Sequence, residues 1–131
     1  MTEKLPTNKQ LETKICQSIR DLYKNKIEFI SSKISCKLFA KHLIIVIEEG
    51  LSLVERNLWK TGKTELSTEL SIQLNSIIKL EVVKIIQEIL QVDVIEIMSG
   101  STHQTNRLGI MVVLSQSPSI KEFRPVSKTK D

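Results

Sequence analysis

The stretch 64–91 constrains the fold most. Leu66, Leu70, Leu74, Ile77, Ile78, Val82, Ile85, Ile86 and Ile89 recur at helical spacing, which predicts one long helix. Its first half reads as ordinarily amphipathic. Its second half adds Leu80, Val83 and Leu90 and is apolar over most of its circumference. A helix of that kind packs against its own sheet and against a second surface as well. That surface is either another helix of the chain or another subunit. Ile78, Val82, Ile85, Ile86 and Ile89 mark it as a candidate dimer surface.

The segments on either side of this helix carry β patterns. In 33–38, Ile34, Cys36 and Leu38 alternate with Lys33, Ser35 and Lys37, as in a strand with one buried and one wet face. The run Leu43-Ile44-Ile45-Val46-Ile47 is continuously apolar, which predicts a central strand covered on both faces. Phe39-Ala40-Lys41-His42 would turn between them. After the long helix, 92–98 reads as a third strand, with Val92, Val94 and Met98 on one face. A polar hairpin loop is expected over 99–106, and a fourth strand over 107–114.

Two further helices complete the pattern. Leu11, Ile15, Ile19 and Leu22 predict an amphipathic helix over 9–26. Ser52 and Glu55 form an S-x-x-E capping signal for a short helix over 53–60, which Gly62 ends. The expected fold is α+β: helix, hairpin, helix, long helix, hairpin. Four strands form an antiparallel or mixed sheet with the helices on one face. At 131 residues this is one domain, over 9–115, between a flexible start (1–8) and a flexible tail (116–131) rich in Ser, Lys and Pro. Aromatic residues make up only 4%, so Ile, Leu and Val must build the core.

The motif survey predicts no enzyme. Thr61-Gly62-Lys63-Thr64 looks like the end of a phosphate-binding loop, but Asn57 stands where that loop needs glycine, and a helix rather than a strand precedes it. Cys16 and Cys36 have no metal-site spacing and read as small core residues in a reducing compartment. His42 and His103 fall in predicted turns. Glu48-Glu49 could couple as paired carboxylates, but reads as a solvated turn. No catalytic residue, metal site or cofactor is expected.

The loop at 99–106 is the most suggestive polar stretch. Ser99, Ser101, Thr102, His103 and Arg107 could hold a small anion there. With a net charge of +4, an anion- or nucleic-acid-binding domain is the alternative to a protein-binding one. Nucleic acid is not favoured, because the chain has neither a stacking set of aromatics nor a run of basic residues. No segment reaches the length of a membrane span and the polar start lacks an apolar signal core, so a cytoplasmic protein without membrane insertion is expected.

Beyond these readings, the chain resembles a bacterial family named after the C component (MpsC) of a sodium-translocating, membrane-potential-generating system. Leu11, Ile15, Ile19, Leu22 and Tyr23-Lys24 match its opening helix, and 43–48 its central strand. Leu51-Ser52-Leu53-Val54-Glu55 with Leu58 is similar to its L-T-x-x-E-x-x-L segment. Ile85-Ile86-Gln87-Glu88-Ile89 with Val92-Asp93-Val94, and then 107–114, resemble its long-helix end and last strands. The chain departs from the family at Ile30-Ser31, where Gly-Pro is usual, at Gln91, where glycine is usual, and at Gly100, near a usual acidic residue. The resemblance implies a small non-enzymatic domain associated with sodium- or bicarbonate-linked membrane transport. The combined expectation is a cytoplasmic interaction or regulatory domain, homodimeric and a component of such a transport complex.

Overall fold

A computed structural model describes residues 5–26, 33–49, 53–102 and 104–120. Ser52, His103, Gly50 and Ile30-Ser31 lie outside the described residues, as do 1–4 and 121–131. The elements run α1 (Asn8–Lys26), β1 (Lys33–Phe39), β2 (His42–Glu48), α2 (Leu53–Lys60), α3 (Thr64–Leu90), β3 (Val94–Thr102) and β4 (Arg107–Leu114). The four strands form one sheet in the order β1-β2-β4-β3, with every neighbouring pair antiparallel. Of the two sheet types left open by the sequence, the antiparallel one is found.

Alternation along the strands decides the core. Ile34 and Leu38, then Leu43, Ile45 and Ile47, then Leu108, Ile110, Val112 and Leu114 are all buried. They join Leu11, Ile15 and Ile19 of α1 and Ile78, Val82 and Ile86 of α3 in one cluster. Both helices therefore cover the same face of the sheet, α1 against β1 and α3 against β3. Burying this aliphatic set is the dominant stabilising term, at about 1.5–3 kcal/mol for each large side chain.

α1 begins on a signal that the apolar pattern alone does not show. Thr7 Oγ1 accepts from Gln10 N at 3.1 Å, and Thr7 N donates to Gln10 Oε1 at 2.9 Å. This reciprocal capping box satisfies the first orphan amides, and its T-x-x-Q spacing is readable in the sequence. α3 ends on Gln91 in the left-handed region (φ 58°), whose N–H donates to Gln87 O at 2.9 Å.

Four local expectations need correction. β3 runs on through Thr102, so 99–102 are strand rather than loop and the described turn residues are 104–106. The longer strand is stabilised by pairing of Ser99, Gly100, Ser101 and Thr102 with β4. Within β3 a bulge at Ile95 shifts the register between Val94 and Glu96. Val94 and Ile97 therefore pack against the core while Met98 is 45% exposed, and Val92 lies before the strand. β2 is central, but the described residues cover only one of its faces: Ile44 and Val46 stay half-buried. The hairpin turn is Ala40-Lys41, which places His42 in β2.

Candidate interaction surface

The open side of the sheet leaves apolar side chains uncovered among the described residues. Cross-strand register arranges it in rows. Phe39, His42, Val113 and Glu96 form the first, and Lys37, Ile44, Met111 and Met98 the second. Ser35, Val46, Gly109 and Gly100 form the third, and Lys33, Glu48, Arg107 and Thr102 the fourth. Phe39, Met98 and Met111 are each more than two-fifths exposed. Its middle is apolar and its charges sit at the periphery.

Gly100 and Gly109 are direct partners at the centre of this face. A Cβ added to either would meet nothing within 4 Å. No neighbour of the chain itself therefore requires a glycine at these positions. Together with Ile44, Met98 and Met111 they leave a hollow of about 320 Å³. A flat apolar face with a central depression and flexible thioethers can receive an apolar side chain.

The sheet edges are less available than the face. On β1, Leu38 N donates to Glu12 Oε2 at 2.7 Å and Leu38 O accepts from Asn8 Nδ2 at 3.1 Å. On β3, Val94 N donates to Gln87 Oε1 at 3.0 Å, and the Ile95 bulge breaks the ladder beside it. Capped and bulged edges of this kind resist strand addition.

The residues considered for anion binding do not converge. Ser99 and Ser101 pair with the core-facing Ile110 and Leu108, whereas Thr102 and Arg107 lie on the open face. Arg107 Nε is committed to Glu48 Oε1 at 2.8 Å. Of the adjacent carboxylates Glu48 and Glu49, the first accepts this contact. The 61–63 amides, which a phosphate loop would need free, donate to Asn57, Trp59 and Leu58 carbonyls of α2. His42 stacks at a tilt on Phe39, with ring centroids 5.6 Å apart. Among the described residues no His, Cys, Asp or Glu cluster could hold a metal ion.

The candidate dimer residues on α3 are placed otherwise than a free surface requires. Ile78, Val82 and Ile86 are buried in the chain's own core, and Ile85 and Ile89 pack against it. The apolar side chains that α3 exposes are Leu66, Ile72, Ile77 and Leu80, none of them in that set. In the second half of the helix, Ile78, Val82, Ile86 and Leu90 are covered by α1 and the sheet, while Ile77 and Leu80 stay exposed.

Two internal groupings were missed by sequence reading, since both depend on tertiary contact. Glu55 is 4% exposed; its carboxylate accepts from the Ser71 hydroxyl, and its carbonyl accepts from Ser67 Oγ at 2.8 Å. This cluster fastens α2 onto α3 and faces Tyr23 of α1 closely enough for its charge to reach the phenol. Cys16 and Cys36 meet across the α1–β1 contact as hydrogen-bonding partners. Burial, the larger cause at both, pushes their thiols above the ordinary range.

The described residues form an α+β domain whose helices pack on one face of the sheet and leave apolar side chains open on the other. The family model for the Na+-translocating membrane potential-generating system (MpsC) matches residues 7–116, and the chain belongs to that family. No curated protein and no solved structure matches it.

Proposed function

We propose that this chain is a non-enzymatic, cytoplasmic binding domain that works as a homodimer. In this reading it serves a sodium- or bicarbonate-linked transport system of the membrane. The observation that carries the reading is the open apolar sheet face, a surface for a macromolecule rather than a small substrate. The family description supports the link to ion translocation. No described helix is long and apolar enough to cross a membrane, so a membrane role requires a partner that does.

The test is deletion and re-expression in the source cells, with sodium-driven membrane potential as the readout. Loss of the chain is expected to lower the potential, and re-expression to restore it. The chain should also co-purify with a membrane transport subunit from mild detergent. An unchanged potential, with the chain recovered free of any membrane protein, would remove the reading.

A further inference from the structure

We infer that a second copy of this chain covers the open sheet face, so that the two sheets stack face to face. The inference rests on the homodimer reading above and names its surface.

Three observations carry it. β2 has the continuous apolar composition of a strand covered on both faces, yet the described residues cover one, leaving Ile44 and Val46 half-buried. The face is also complementary to itself. A two-fold axis parallel to the strands, between β2 and β4, places β1 of one copy over β3 of the other. Phe39 then lies over Glu96, Lys37 over Met98 one row from Glu96, and Lys33 over Thr102. The Glu48–Arg107 ion pair within each copy lies over that of the other with the charges crossed, and Val46 of each meets the hollow at Gly109. An axis across the strands would instead set the β1 lysines against one another. Such isologous pairing is the ordinary form of a homodimer.

Size agrees as well. Four strands about 4.8 Å apart and seven residues long give a footprint of roughly 400 Å². With side-chain relief, the pair buries on the order of 1,200 Å², the lower end of specific interfaces. The exposed apolar residues of α3 lack this fit, being interrupted by Glu69, Gln73 and Lys84.

Light scattering on the full chain tests the inference. The wild type is expected at twice 14.9 kDa. Val46→Lys should give the single-chain mass with an unchanged circular dichroism spectrum. Gly109→Val fills space that is empty in one chain, so it should keep the circular dichroism spectrum while weakening dimerisation at least tenfold. Leu80→Lys, on the exposed side of α3, should leave the mass at the dimer value. A monomeric wild type at high concentration removes the homodimer reading itself. A dimer that survives both Val46→Lys and Gly109→Val, or one that Leu80→Lys breaks, overturns the sheet-face interface and leaves homodimerisation standing.

Discussion

Tyr23 is the single tyrosine of the chain and is 3% exposed. Burial first, and the Glu55 charge second, hold its phenol above the ordinary tyrosine range. The Cys36 thiol is raised in the same direction, again chiefly by burial. The fold thus favours the protonated form of both groups. The associated stability is complete below their unfolded values, about 8.5–10, and is lost as pH rises above them. An alkaline titration should therefore show tyrosinate absorption appearing together with loss of the helical signal. Tyrosinate forming near pH ~10 in a still-folded chain would contradict this. Ser71→Ala leaves the buried Glu55 carboxylate short of a donor and should cost about 1.5–3 kcal/mol in urea unfolding. Gln91→Gly relieves a left-handed residue where the family usually carries glycine, and should add about 0.5–1 kcal/mol. The sequence shows Gln91 as a departure from its family, but the left-handed backbone is what gives the departure an energy.

Elements were the most legible level. β4 and α2 have the bounds that pattern and capping predict, and α1 and α3 differ from prediction by one residue at one end. Period carries that information, because a helix face and a strand face repeat at different intervals. The misreadings fall where local polarity competes with pairing. Ser99, Gly100, Ser101 and Thr102 look like loop, but β4 supplies them with ladder partners. On α3, periodicity marks an apolar surface without saying which part the sheet will cover. Ile86→Ala should cost about 2–5 kcal/mol because its side chain is fully buried. Leu80→Ala, at 69% exposure, should stay within about 0.5 kcal/mol. Equal losses in thermal or urea unfolding would mean that Leu80 is covered in solution.

At the scale of the whole molecule, the placing of all helices on one side of the sheet is what creates a candidate site. The residues singled out for anion binding are spread over both faces, and Arg107 is held by Glu48. The residues singled out for dimerisation lie in or against the core. The open face contains Ile44, Val46, Met98 and Met111, which the sequence presents only as ordinary strand residues. Register joins them, since Ile44, Met111 and Met98 share one row across three strands and Val46 sits in the next.

The sequence by itself determined the α+β class, the order of the elements, the aliphatic core and the family resemblance. Each of these depends on local period or on spacing along the chain. Tertiary structure decided which faces are left over: the sheet's far side rather than the second half of α3, and the joining of Glu55 to Ser71 and of Cys16 to Cys36. Those outcomes depend on how helices divide a sheet's two faces, and that division is set by packing among residues far apart in the chain.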